Sequence, residues 1–318
     1  MASSDLQIER CPEQDRAPAM EIVYRDLGRR MREALAKEAF ADHRAGRVDL
    51  SGLWVARRGA GGKLVGAILT QALAGRATAL WPPRTTAIWD RAEVAATLVR
   101  GTLEGLREGG VAIAQAVLHA AADPRGAADL ARGGMPHVTD LIYLRRPTAA
   151  PPPSRPATVR FDWRGVDEAG DRALRDVLKA TYAGSLDMPE IEGARSLDDV
   201  LEGHQGAPGH RPGLWRVGTV PGEPDAAAVL LMAATPGRDA WEVIYLGLTP
   251  AARGRGLGVQ AVAHALELAR PEAAAVELAV DARNTPAAKL YRATGFVPID
   301  RRAVHLAVLS RRGGESAS

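Results

Sequence analysis

The chain is short of the residues that most often announce a function. Cys11 is its single cysteine, which excludes an intramolecular disulfide and fits a reducing compartment. Aromatic residues make up only 4% of the 318 positions while hydrophobic residues make up 46%, so the cores must rest on Ala, Val and Leu. No run approaches the ~18 uncharged apolar residues of a membrane-spanning helix. The polar start MASSDLQIER has no signal-peptide core, so the expected setting is cytoplasmic, with no membrane partner. The formal net charge of +3 comes from scattered arginines with few aromatics among them, and no nucleic-acid partner is expected. His-x-His, HExxH, paired cysteines and the Gly-x-Ser-x-Gly elbow are all missing. Those absences argue against a metal site and against a serine hydrolase.

What is present falls into two halves. TAAPPPSRPA, from Thr148 to Ala157, holds four prolines in ten residues, a composition that suits an extended linker. The reading is a domain over 1–147, a linker over 148–157, a second domain over 158–310 and a frayed tail over 311–318. In the second domain, Ala169–Ala183 has the spacing of a helix, with Leu174, Val177, Leu178 and Thr181 on one face. Leu214–Val220 and Ala226–Ala233 read as strands around PGEPD, and Trp241–Leu248 as a third strand. A helix to about Ala269 follows, then a strand around Val276, Leu278 and Val280. Thr285-Pro286 reads as a hydroxyl cap with proline opening a helix that ends at Gly295, and Ala303–Leu309 as a last strand. Alternation of this kind means an α/β fold. The first half repeats the order more faintly. DPRGAADLARGGM (Asp123–Met135) aligns with NTPAAKLYRATGF (Asn284–Phe296) at a constant offset of 161 residues, which reads as a duplication.

The chemistry concentrates in TPAARGRGLGVQAV, Thr249 to Val262. Glycines between a strand and a helix start let backbone N–H groups converge, and the helix dipole adds positive charge at the same point. That makes an anion site suited to a pyrophosphate. A triphosphate loop would need Gly-Lys-Ser/Thr, and the sequence here is Gly-Leu-Gly-Val. A dinucleotide fingerprint is met formally by Gly256, Gly258 and Ala261, with Glu277 further on. Yet Thr249–Arg255 intervenes where that turn should be immediate, so an oxidoreductase stays a minor alternative.

Leu248-Thr249-Pro250 with Arg253-x-x-Gly256-x-Gly258, followed by Asn284, Ala287-Ala288-x-Leu290-Tyr291 and Gly295-Phe296, resembles the GNAT superfamily of acyl-CoA-dependent N-acetyltransferases. The resemblance covers about Thr158–Leu309 and extends weakly to the first half. It implies two tandem GNAT-like domains, each a mixed, mostly antiparallel sheet flanked by helices. It also implies acetyl-CoA as acyl donor, no metal, and a small-molecule or peptide amine as acceptor. Carried over residue by residue, Arg253, Gly254, Arg255, Gly256, Leu257 and Gly258 would hold the pyrophosphate. Leu246, Gly247 and Leu248 would offer backbone hydrogen bonds to the pantetheine, and Asn284 and Ala287 would line the cofactor or cap the helix. Tyr291 stands where the family has the acid for the departing thiolate, and Glu242 is the candidate base, acting through water. Asp187 and Glu190, with Glu192 and His204 nearby, fall where the family borders its acceptor. In the first half, RTTAIWDRAEVA lacks Gly-x-Gly, and Leu130 stands at the position of Tyr291. That half is expected to be structural and non-catalytic. Tandem arrangements occur in the family, mycothiol synthase among them, so acetylation of a small amino-sugar or thiol metabolite is one alternative, although no residue signature points to it. A non-catalytic acyl-CoA-binding module is another.

Overall fold

The computed structural model describes residues 6–59, 61–119, 123–151 and 160–310. Most of the proline-rich stretch and the tail over 311–318 lie outside the described residues. The chain forms two compact units, Met1–Val138 with Ala303–Ser318, and Thr139–Arg302.

The first unit runs β1 (Leu6–Arg10), α1 (Arg16–Val23), α2 (Arg29–Arg44), β2 (Leu53–Arg58), β3 (Leu64–Leu73), β4 (Ala77–Leu80), β5 (Arg84–Thr85), α3 (Arg91–Glu108), β6 (Ile113–His119) and α4 (Pro124–Arg132). Its sheet order is β1-β2-β3-β4-β6, antiparallel except for the parallel β4–β6 pair, with β5 off the path against β3. One core packs α3 and α4 on the sheet through Leu98, Val99, Leu130 and Met135. A second lies under α1 and α2 around Met20, Leu50 and Leu53.

The second unit contains most of β7 (His137–Pro147), then β8 (Asp162–Gly165), α5 (Val166–Ala169), α6 (Asp171–Tyr182), α7 (Leu197–Gln205), β9 (Arg216–Thr219), β10 (Ala226–Ala234), β11 (Ala240–Leu248), α8 (Leu257–Ala269), β12 (Ala275–Asp281), α9 (Thr285–Ala293) and the first half of β13 (Val297–Val308). Its sheet order is β7-β12-β11-β10-β9-β8, antiparallel except for β11–β12. α6 buries Leu174, Val177, Leu178 and Thr181, the face read from spacing. Trp241, Val243, Val262, Leu266, Leu278 and Tyr291 join β11, α8, β12 and α9 in one core.

The unit boundaries differ from those expected at the linker. Strand β7 precedes the prolines in sequence, yet seven of its residues pair with β12, from Leu141↔Asp281 to Pro147↔Ala275. The chain end makes the reverse excursion. Leu306 N–H donates to Pro136 O at 3.2 Å and Leu309 N–H to Ala112 O at 2.8 Å, both within the first unit.

The internal repeat is visible bond by bond. Asp123 Oδ1 accepts from Gly126 N–H at the start of α4, and Asn284 Oδ1 accepts from Ala287 N–H at the start of α9. Gly134 and Gly295 both have positive φ after their helices. Met135 N–H donates to Leu130 O as Phe296 N–H does to Tyr291 O. Each pair keeps the offset of 161 residues. The cap of α9 is therefore Asn284 and not Thr285, because Thr285 is already the first helical residue and the Asn284 amide oxygen, three positions before Ala287, accepts from its N–H.

Candidate active site

The site grows from the one parallel pair of the second unit. β11 and β12 pair from Ala240↔Ala275 to Val243↔Leu278 and no further, although β11 runs on to Leu248 and β12 to Asp281. At the parting, β11 carries a bulge: Leu231 opposes Tyr245 and Met232 opposes Val243, which leaves Ile244 as the extra residue. Beyond it, the β12-facing backbone edge of Ile244–Leu248 has no strand partner among the described residues. An edge of this sort pairs readily with an extended ligand.

Between the splayed ends lies a cavity of about 320 Å³. Val243–Leu248 and Leu278–Val280 form its walls, Arg253, Gly254 and Gly258 one end, and Asn284, Ala287 and Tyr291 the α9 side. Leu246, Gly247, Leu248, Arg253, Gly254, Gly258, Asn284, Ala287, Tyr291 and Asp187 are thus brought together as the sequence suggested.

The glycine loop is built as an anion cradle. Gly254 and Gly256 hold φ of 74° and 79°, the left-handed region that only glycine enters cheaply, and Gly256 caps α8 with no side chain on the first N–H groups. Gly258 lets α8 approach α9, since a Cβ there would stand 2.9 Å from Leu290 Cδ2. The side chains divide differently from the expectation. The Arg253 guanidinium is spent on carbonyls: Leu248 at 3.1 Å, Thr181 and Ala183 at 2.8 Å, and Gly184 at 3.2 Å. It ties the end of α6 to the loop. Arg255 pairs with Glu223 at 2.9 Å. Leu257 is buried with Ala252 and Ala261, leaving only its backbone for a ligand.

Gly247 is fixed by packing. A Cβ there would lie 2.7 Å from both Thr181 Oγ1 and Tyr245 Cε1. We predict that Gly247→Ala costs about 1–3 kcal/mol through overpacking. A thermal melt unchanged from wild type would refute that.

Tyr291 is almost fully buried, edge-on to Phe296 at 5.8 Å, with its ring in the core and the residue lining the cavity. Burial, and then the charge of Asp187, push its phenol up from the ordinary value, so it is neutral and a donor at neutral pH. Sequence reasoning did not single out Tyr245, which shares the cavity. Burial raises its phenol to about 12, and its hydroxyl lies 3.0 Å from Thr181 Oγ1. Behind it stand Tyr182, with its ring centroid 5.3 Å away, and His204, whose imidazole burial depresses to about 4. A tyrosine in the apolar run Val243–Leu248, just before the glycine loop, was the available signal.

Two carboxylates fall elsewhere. Glu242 precedes the bulge and does not line the cavity. Its surroundings are Glu277 and Arg238, and burial followed by the charge of Glu277 raises its carboxyl. Glu190 is held bidentately by Arg283 at 2.9 Å and closer, which keeps its carboxyl low and occupied.

The matching place in the first unit is filled. Arg84 bridges Asp26 and Asp123, each at 2.7 Å, and Arg91 makes two bonds to the buried Asp129. These groups surround a space of only about 160 Å³, and Leu130 is fully buried.

Comparison with known proteins follows the same lines. Residues 198–296 match the model of the acetyltransferase (GNAT) family. A mycothiol acetyltransferase of Corynebacterium kroppenstedtii is 46% identical over 66 residues, which is 20% of this chain and only 18% of that protein. A GCN5-related N-acetyltransferase from Sphaerobacter thermophilus superposes with a TM-score of 0.57 at 18% identity, over 100% of both chains. A glucosamine N-acetyltransferase region from a fungal multi-domain beta-N-acetylglucosaminidase gives 0.59 at 15% identity, over 96% of this chain and 38% of that one. At such identities the structural likeness establishes the fold.

Proposed function

We propose that the second unit, in which residues 198–296 match the GNAT family model, transfers an acetyl group from acetyl-CoA to an amine, and that the first unit is a degenerate, structural copy of the same fold. The observation that carries this reading is the splay of β11 from β12, which joins the glycine cradle to Tyr291 through one cavity. The backbone N–H groups at the start of α8 would take the pyrophosphate. The unpaired edge of Ile244–Leu248 would take the pantetheine, and its donors would stabilise the oxyanion of the tetrahedral intermediate. Acetyl-CoA supplies the activated acyl group. Tyr291 gives its proton to the leaving sulfur. Direct attack is favoured over an acyl-enzyme, because Cys11 lies in the first unit, buried, with its thiol pushed up to about 11 by that burial and by Asp15.

Ligand-induced stabilisation tests the cofactor. At about 100 times Kd, coenzyme A should add about 2.7 kcal/mol to the native state. NAD and NADP should add nothing. A shift with NAD(P) and none with coenzyme A would overturn the reading. Amine-dependent release of free thiol then separates an enzyme from a binding module. Amine-bearing thiol metabolites belong in the panel because of the partial likeness to a mycothiol acetyltransferase.

A further inference from the structure

Resting on that reading, we propose that Asp187 is the proton acceptor for the acceptor ammonium, aimed into the cavity by a clamp formed by Asp281 and Arg283. The cavity narrows the choice. Among the described residues that line it, the ionisable side chains are Asp187, Tyr245, Tyr291 and Arg253. Both phenols are neutral near pH 7 and the guanidinium is engaged with carbonyls. Asp187 is the one carboxylate and the one group able to take a proton.

Its position is enforced. Asp281 ends β12, has no exposed surface, and its Oδ2 accepts from Met188 N–H at 3.2 Å. Its own N–H donates to Asp187 Oδ1 at 3.2 Å. Arg283 joins the two sides, bonding Asp281 Oδ2 at 2.7 Å and gripping Glu190. Met188 sits between Asp187 and Pro189 with φ of +46°, a conformation unfavourable for a side-chain-bearing residue, and it is retained because both flanks are fastened. The loop from Ser185 to Glu190 is thereby bolted to the strand that forms the cavity wall.

The surroundings suit the task. Facing Asp187 are Asp281 and Arg283 at the end of β12, Tyr182 on α6, Tyr245 on β11 and Tyr291 on α9. Asp187 is exposed as a residue, yet the crowding of its carboxyl among these groups raises it above the usual range; the bond from Asp281 N–H opposes this, the Asp281 charge adds to it and Arg283 reduces it. A raised carboxylate is a stronger base. The protons balance. Asp187 takes one from the ammonium, and the freed nitrogen lone pair forms the C–N bond as the C–S bond breaks. Tyr291 protonates the sulfur, the nitrogen's second proton restores Tyr291, and Asp187 releases its proton to water.

The test uses full-length protein, acetyl-CoA and two probes. Butylamine arrives as an ammonium, whereas hydroxylamine is largely free base at mildly alkaline pH. Asp187→Asn keeps the acceptor oxygen for Asp281 N–H, and its melt and coenzyme A binding serve as controls for folding. Its kcat with butylamine should fall about a hundredfold or more, while its kcat with hydroxylamine, after subtraction of the uncatalysed rate, should change less than about threefold. The acidic limb of the butylamine pH profile should disappear. Equal losses with both probes, or a raised KM with kcat intact, would overturn the proposal and leave the acetyltransferase reading standing. Wild-type protein that binds coenzyme A but acetylates neither probe would sink that reading, and this proposal with it.

Discussion

Replacing Tyr291 with phenylalanine is expected to lower kcat by about 10²–10⁴-fold with coenzyme A affinity unchanged. The hydroxyl is the only thing removed. The ring stays packed on Phe296 within the α9 core, so the fold has no reason to yield. The loss corresponds to about 3–5 kcal/mol of transition-state stabilisation. It falls on kcat because the thiolate that needs the proton exists only after the bond begins to break. The measurement is steady-state thiol release beside calorimetric binding of coenzyme A. A variant that binds and turns over like wild type would return Tyr291 to the ordinary role of a buried aromatic.

The largest effect on stability is expected at Asp281. Its buried carboxylate accepts from Thr139 Oγ1 at 2.5 Å, Arg283 N–H at 2.8 Å, the Arg283 guanidinium at 2.7 and 3.1 Å, and Met188 N–H at 3.2 Å. Asp281→Ala strands those donors and should cost about 3–5 kcal/mol in equilibrium denaturation. Burial acting alone would raise this carboxyl, but the bonds from Arg283, Thr139 and Met188 prevail and hold it below the ordinary value. The sign follows from that direction. Asp281 contributes fully above the unfolded-chain value of about 3.9, and its share is lost as pH falls through the lower folded value. Asp281→Asn should flatten that acid limb of the stability curve. A limb that persists undiminished in the variant would assign it to other carboxylates.

Much of the site was legible because it depends on residues with one physical use at one place. Gly254 and Gly256 are read as backbone freedom, and the structure holds both at positive φ. The offset joining Leu130 to Tyr291 predicted two helices with matching caps and exits, and both occur. Helix α7 falls in the segment between Ala183 and Leu214, to which the sequence reading assigns no element. Its signal was nonetheless present in Ser196 and Asp199, which form a reciprocal capping box, and in Leu197, Val200 and Leu201 on one face. The role of Arg253 was not legible. That its guanidinium bonds four carbonyls depends on where the end of α6 lies, and no local pattern encodes that. Glu242 lies one residue short of the cavity wall, which begins at Val243, and the resemblance that suggested it does not fix that boundary. Strand β7 was missed because its partner, β12, lies beyond the linker.

That last pairing limits how this protein could have been assembled and how it can be taken apart. A chain beginning at residue 158 would carry the glycine cradle and Tyr291 but leave β12 without the seven partners it finds between Leu141 and Pro147. A chain ending before residue 303 would strip the first unit of the bonds made by Leu306 and Leu309. Each unit thus completes its sheet with a strand encoded beside the other. Cutting the gene at the linker would therefore leave each product one strand short of its sheet.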